Sequence, residues 1–515
     1  MVTEFHPEAL TDFSNGSNSR AMEGALDLIE GRFGTEYPLF IEGREVTSND
    51  RIDSLNPSDP EQVVGRVSAA TPELADLAVK SASRAFDGWA SMSFDARAAV
   101  MLRAANIMRR RRFELDAVEV LEAGKSWIEA DADVAEAIDF CDFYAREAMR
   151  YGDRQPLTFL PGEASELTYL PLGVVVVIPP WNFPLAITAG MTVGALVTGN
   201  TVVLKPASST PVTAWYLLDI LREAGVPDGV LQYLPGSGGL VGDTLVAHPL
   251  TRMIAFTGSR EVGLHINETA ARTADGQKWI KRVIAEMGGK DFIIVDEETD
   301  LDEAAQGIVT SAYGFQGQKC SACSRAIIVD AVYDQVIDGI VERVKALRQG
   351  PMKDPDNNLG PVITESAMNG ILKYIETGKG EGRLLHGGAR LDRPGYFVEP
   401  TVIADVKPGA VIEQEEIFGP VLACIKARDF DHAVEIANDT VYGLTGAVYS
   451  RNRGRLEKGR RDLFVGNLYF NRKCTGALVG VHPFGGFNMS GTDSKAGGRD
   501  YLGLFLQAKS VSEKL

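Results

Sequence analysis

Two cysteines three residues apart, Cys320 and Cys323, stand near the end of the run Tyr-Gly-Phe-Gln-Gly-Gln-Lys-Cys-Ser-Ala-Cys-Ser-Arg at Tyr313–Arg325. A thiol attacks a carbonyl or binds a metal as thiolate, a form favoured where backbone dipoles or cations stabilise negative charge. Lys319 and Arg325 flank the pair and are candidates for that task. Three chemistries compete with a nucleophile. A structural zinc site wants four ligands, but Cys141, Cys424 and Cys474 stand singly and no histidine sits at ligand spacing, so no metal is expected. A redox dithiol needs only C-x-x-C beside a βαβ unit. Simple packing of two small residues is the third reading. A nucleophilic Cys320 would need a base, an oxyanion donor and an acceptor from elsewhere in the chain.

At 515 residues the chain exceeds what one core holds and should divide into two or three domains. With 45% hydrophobic and 24% charged residues it has an ordinary soluble composition. Its 52 basic against 70 acidic residues, a net charge of −18, argue against nucleic acid or an anionic membrane surface as partner. Five scattered cysteines fit a reducing compartment. The first residues lack the basic and apolar regions of a signal peptide, and no run of about 18 apolar residues occurs, so a cytoplasmic protein is expected.

Residues 1–35 are polar and partly helical, with Ser14–Ser19 as a loop. Tyr37–Ile41 and Arg44–Thr47 flank Glu42-Gly43 and predict a hairpin turning at Gly43. Thr71–Tyr151 is helical by the spacing of Leu74, Leu77, Ala78 and Ala82, then Val100, Leu102, Ile107 and Met108. The run Arg109–Arg112 predicts a solvated helix face rather than a nucleic-acid contact. From Leu172, strands at Gly173–Pro179, Thr201–Lys205, Val230–Leu234 and Met253–Phe256 alternate with helices at Leu185–Gly199 and Pro211–Ala224. That alternation predicts a parallel sheet whose ligands lie beyond the carboxyl ends of its strands. A second alternating region, 292–470, has strands at Ile293–Val295, Ala326–Val329, Val421–Ile425, Ala447–Tyr449 and Gly466–Tyr469. A short strand pair around Pro161-Gly162, within Thr158–Pro171, and a tail strand near Leu504–Val511 lack local partners. Both are expected to join a sheet supplied by a neighbouring subunit.

Pro180-Trp-Asn-Phe-Pro184 follows the first of these strands. Its prolines keep a helix from starting there and present Asn182, whose amide N–H suits a developing oxyanion; an ordinary turn asparagine fits the same residues. Lys205 ends the next strand, placed either to donate to ribose hydroxyls or to face solvent. Phe256–Gly263 closes a strand and opens a helix, with Gly258 for a tight turn and a helix N-terminus for a phosphate. The G-x-G-x-x-G fingerprint is absent, because Val241 stands where Gly236-Ser-Gly238 needs a third glycine. Glu286 precedes Gly288-Gly289, and Glu415-Glu416 precede Phe418-Gly-Pro420; alone, each carboxylate reads as a surface group.

In this order, Pro-Trp-Asn-Phe-Pro, Lys-Pro-Ala, Phe-Thr-Gly-Ser, Glu-Met-Gly-Gly-Lys, Gly-Gln-Lys-Cys and Glu-Glu-Ile-Phe-Gly-Pro resemble the aldehyde dehydrogenase superfamily over about residues 37–515. The likeness implies an α/β fold with a Rossmann-type NAD(P)-binding domain over 1–157 and 172–285 and an α/β catalytic domain over 286–480. A β-flap for oligomerisation would come from 158–171 and 481–515. It implies Cys320 as nucleophile with Cys323 a bystander, Asn182 and the Cys320 N–H as oxyanion donors, and Glu286 as the base that sends water onto a thioester. Such a base is at odds with acyl transfer to coenzyme A. The cofactor would be held by Trp181, Lys205, Ser208, Gly258, Ser259, Gly263, Glu416 and Phe418. Many superfamily members carry Glu at the position of Ser208; the serine lessens repulsion of a 2′-phosphate, so NADP is expected beside NAD. Cys474-Thr-Gly-Ala-Leu-Val-Gly and His482-Pro-Phe-Gly-Gly narrow the likeness to members that oxidise L-glutamate γ-semialdehyde to L-glutamate in proline degradation. By that likeness Ser321 and the N–H groups of Gly476 and Ala477 hold the substrate carboxylate. Phe183 and Phe484 flank its stem, with Glu136 near the pocket; core packing is the other reading of Phe484. Rival readings are a dehydrogenase of another semialdehyde, such as succinate semialdehyde, and a non-catalytic relative. A homodimer or larger homo-oligomer acting on a small molecule is expected.

Overall fold

The computed structural model describes residues 4–515. Its helical region resolves into four helices, Pro72–Ala90, Phe94–Arg110, Arg112–Ala123 and Trp127–Gly152. Thr71, Ser93 and Ser126 cap three of them by accepting the N–H three residues on. The arginine run is the solvated face expected only at Arg110, which is exposed; the other three are half-buried in ion pairs. Arg109 binds Glu8 and Asp142, Arg111 binds Glu114 and Asp219, and Arg112 binds Asp131 and Glu8. These pairs fasten the N-terminal segment to the helices and spend the charge a nucleic acid would need. Ser14–Ser19 is also more than a loop, because Asn15 caps the helix Gly16–Glu30.

The hairpin forms between Leu39–Ile41 and Arg44–Val46, with Glu42 and Gly43 both left-handed at φ 56° and 76°, as its two-residue turn requires. It edges a seven-stranded sheet, in spatial order Arg282–Glu286, Thr251–Thr257, Val174–Ile178, Thr201–Leu204, Leu231–Tyr233, Leu39–Ile41 and Arg44–Val46. The first five strands run parallel. The β-branched strand Val174–Val177 is buried, as a central parallel strand covered on both faces must be. A second seven-stranded sheet runs Arg383–His386, Thr401–Val406, Val421–Ala427, Cys323–Val329, Asp291–Val295, Thr445–Tyr449 and Asn467–Phe470, parallel apart from the first pair. The strands Arg282–Glu286, Arg383–His386 and Thr401–Val406 were not anticipated, nor was a small sheet of Thr35–Tyr37, Arg51–Asn56 and Asp59–Ser68.

The two orphan segments have a partner after all: each other. Glu163–Pro171 pairs antiparallel with Leu506–Lys514 over nine residue pairs. Pro161-Gly162 leads into one strand and does not turn a strand pair. The rest of 481–515 does not join this ribbon; residues 485–494 run back across the end of Arg282–Glu286 instead.

Candidate active site

First-sheet residues leave the carboxyl ends of their strands: Trp181 and Asn182 beyond Ile178, Lys205 beyond Leu204, Gly258 and Ser259 beyond Thr257, with Glu286 ending its own. Second-sheet residues do the reverse. Gly288 and Gly289 precede Asp291–Val295, Cys320 precedes Cys323–Val329, and Glu416 and Phe418 precede Val421–Ala427. The site therefore forms where the carboxyl end of one sheet meets the amino end of the other, and the strand-end rule covers only the first.

The nucleophile segment is held in a strained turn. Phe315, Gln316 and Gly317 are left-handed in succession, at φ 48°, 57° and 68°. For the two non-glycines this costs about 1–2 kcal/mol each. The Gln316 amide donates to the carbonyls of Gly124 at 3.1 Å and Pro361 at 2.8 Å, and the Gln318 side-chain oxygen accepts the Ile363 N–H at 2.9 Å. Asn182 is buried, and its Nδ2 donates to the Gln318 carbonyl at 3.0 Å, two residues before Cys320. Behind Asn182, Asp133 accepts the Ala186 N–H at 2.7 Å at the start of the helix Ala186–Val197. Asp133 is paired in turn with buried Lys125, which also binds Glu119 at 2.9 Å.

The flanking cations, candidates to stabilise a thiolate, are committed elsewhere. Lys319 Nζ donates to both oxygens of Glu129, at 2.7 and 2.6 Å, and buried Arg325 binds Glu413 and the carbonyls of Lys290, Ile436 and Ala437. Burial pushes the Cys320 thiol up, and the carboxyls of Asp291, Glu416, Glu286 and Glu136 push it further. A thiol held up in this way needs a proton acceptor before it can act as a nucleophile. Burial raises Glu286 to about 7 against the hydrogen bonds it accepts from the Ser494 hydroxyl and the Gly486 N–H. Burial raises Glu136 to about 8. Both are poised near neutral pH, where a general base works best. Cys323 is buried at the head of its strand, and no cluster of three His, Cys, Asp or Glu among the described residues is arranged to hold a metal.

On the cofactor side, Lys205 is buried, its ammonium has no hydrogen-bond or ion-pair partner among the described residues, and burial lowers it to about 8. An amine buried so is costly unless a ligand satisfies it. Ser259 caps the helix Arg260–Ala271, and a side chain at Gly258 would meet the Phe256 ring at 2.6 Å. Ser208 is exposed in the turn beyond Lys205. Gly263 is packed against Met287, where a Cβ would lie 2.5 Å from the sulfur, so it seats the helix rather than a ligand. Glu416 accepts the Gly289 N–H at 3.0 Å and is raised by burial to about 7. Trp181 meets the rings of Phe418 at 5.5 Å and Phe315 at 6.3 Å. A buried amine and a capped helix N-terminus at the strand ends of the first sheet, with a sheltered carboxyl before the second, are groups that suit a dinucleotide.

The substrate candidates are less closely knit. Phe183 is half-buried under the Lys125 ammonium at 4.8 Å, and Phe484 is half-buried with its N–H on Ala496, but no ring contact joins the two. Ser321 is buried with its carbonyl near the Cys474 thiol at 3.4 Å, Gly476 is left-handed at φ 78°, and Ala477 is half-buried. Ser494, Lys125 and Asp133 escaped the sequence reading, since nothing local marks a residue whose partner lies far along the chain. Gln316 stood inside the cysteine motif, but its left-handed backbone did not show there.

The aldehyde dehydrogenase family matches over residues 44–511. The chain belongs to that family. It is 60% identical over 513 residues, 100% of each chain, to 1-pyrroline-5-carboxylate dehydrogenase of Geobacillus sp. (strain WCH70). It superposes at a TM-score of 0.98 and 51% identity, over 100% of both chains, on the crystal structure of 1-pyrroline-5-carboxylate dehydrogenase from Thermus with bound NAD. Betaine aldehyde dehydrogenase from Staphylococcus aureus, solved in complex with NAD+, follows the same fold at 30% identity and a TM-score of 0.89, covering 96% of this chain and 97% of that one. The expected family and its α/β fold are thereby borne out.

Proposed function

We propose that this enzyme oxidises L-glutamate γ-semialdehyde, the open form of 1-pyrroline-5-carboxylate, to L-glutamate with NAD. The observation that carries the chemistry is Asn182 bonded to the Gln318 carbonyl, two residues before Cys320, with the raised carboxyl of Glu286 acting on the same thiol. Full-length identity to enzymes of that name supports the substrate. Cys320 passes its proton to a carboxylate as Sγ bonds the aldehyde carbon. The oxygen takes up the charge, steadied by Asn182 Nδ2 and the Cys320 N–H. Lys205, Ser259 and Glu416 would hold NAD, which when bound supplies the hydride acceptor that turns the thiohemiacetal on Cys320 into a thioester. Glu286 then takes a proton from water, whose oxygen bonds the acyl carbon while the C–S bond breaks and the sulfur is released. With Ser208 in place of a carboxylate, NADP is accepted beside NAD.

The substrate end pairs Ser321 and the N–H groups of Gly476 and Ala477 with the carboxylate, while Phe183, Phe484 and Glu136 line the approach. The cofactor part comprises 1–157 and 172–285 and the catalytic part 286–480, with the ribbon joining subunits into a homo-oligomer. NADH formation from 1-pyrroline-5-carboxylate, succinate semialdehyde and butanal tests the substrate; kcat/KM should be highest for the first, and a higher value for succinate semialdehyde overturns the assignment. Cys320→Ala should lose at least about a thousandfold in turnover while still binding NAD by fluorescence titration.

A further inference from the structure

The loop after Asn467–Phe470 is wound around one guanidinium. Arg472 Nη2 donates to the carbonyls of Thr475 at 2.8 Å and Gly476 at 3.1 Å, and its Nε donates to the carbonyl of Lys473 at 3.2 Å. The guanidinium lies 4.4 Å from the centre of the Tyr469 ring, which fixes it from the other side. A trans peptide is planar, with its N–H opposed to its C=O. The Thr475 carbonyl shares a peptide with the Gly476 N–H, and the Gly476 carbonyl shares one with the Ala477 N–H. Drawing both carbonyls onto Arg472 therefore turns both N–H groups away from it. Neither donates to any protein acceptor among the described residues. The turn depends on Gly476, left-handed at φ 78°.

Lys473 completes the arrangement. Its Nζ lies 3.5 Å from where a Cβ on Gly476 would stand, and it has no ion pair among the described residues. Burial lowers its pKa and Lys319 and Arg472 lower it further, while Glu129 raises it, so the ammonium sits near the nucleophile segment among charges of both signs. Lys319 is already spent on Glu129, whereas Lys473 is not. The loop touches that segment directly, through the Cys474 thiol on the Ser321 carbonyl at 3.4 Å. An uncommitted cation beside two uncommitted N–H groups is a site for an anion.

We propose that Arg472 is a positioning residue that turns the Gly476 and Ala477 N–H groups toward the substrate, and that Lys473 selects aldehydes carrying a carboxylate at the far end. The inference rests on the substrate reading above and names the side chains that enforce it. The test compares wild type, Arg472→Met, Arg472→Lys and Lys473→Gln on 1-pyrroline-5-carboxylate and on butanal, with NAD, at several NaCl concentrations. For Lys473→Gln the ratio of kcat/KM between the two substrates should fall about tenfold, mostly through KM, and the salt dependence on the anionic substrate should flatten. Arg472→Met should lower the ratio comparably. Arg472→Lys should fall between, because one ammonium cannot hold three carbonyls at guanidinium geometry. Equal losses on both substrates, or unchanged ratios with salt dependence intact, overturn the proposal. If Arg472→Met fails to fold, Arg472→Lys and Lys473→Gln still decide it. A wild-type enzyme that does not favour the anionic substrate defeats the substrate reading; a wild type that does, with variants that keep the preference, defeats this inference alone.

Discussion

Cys320 sits among acids, so its reactivity depends on a proton acceptor rather than on a stabilised thiolate. In the proposed mechanism Glu286 works as a carboxylate, and burial raises its pKa to about 7. The rate of thioester hydrolysis should therefore rise with pH below about 7 and level off above it. Glu286→Gln should lack this limb and lose about 10²- to 10⁴-fold in steady-state turnover, with NADH released in a single initial burst; a stopped-flow trace checks both. The Ser494 hydroxyl bonds the Glu286 carboxylate and holds its pKa down. Ser494→Ala should therefore move the limb to higher pH, by about one unit, in a pH profile of kcat. An unmoved limb would mean that a group other than Glu286 is titrating.

At the level of elements, the site depends on a turn that its own backbone disfavours. Gln316 compensates by satisfying two buried carbonyls from separate loops, at Gly124 and Pro361. Gln316→Ala leaves both unpaired and should cost about 2–3 kcal/mol in urea unfolding. Turnover should fall as well, because the left-handed turn that presents Cys320 relaxes once its tether is gone. The helix Ala186–Val197 is held in the same way, with Asp133 on its first N–H and Lys125 behind. The motif containing Asn182 was readable as a rigid turn after a strand. The residues that aim it were not, because Asp133 lies 53 positions from Ala186 and shares no motif with it.

For the whole molecule, the ribbon of Glu163–Pro171 and Leu506–Lys514 is the part left unfinished within one chain. A lone two-stranded sheet is marginal in water, and both outer edges of this one lack a partner strand among the described residues. Phe159, Leu160, Leu170 and Val511 are exposed on or beside it. Covering by a second copy removes both liabilities. Truncation after Gln507 should lower the mass found by sedimentation equilibrium to that of a smaller assembly, and an unchanged mass would place the contact elsewhere.

By itself the sequence determined the strand–helix alternation of both halves and the chemistry-bearing types at Asn182, Glu286 and Cys320, since these follow from local periodicity and from motifs that keep their order. Only the tertiary structure decided that the second sheet offers the amino ends of its strands and that the two orphan strands pair with each other. It alone also showed that Arg112 and Arg325 are committed to buried carboxylates. The physical reason is common to all three: sheet order, partner choice and desolvation depend on residues far apart in the chain, and local spacing carries no record of them.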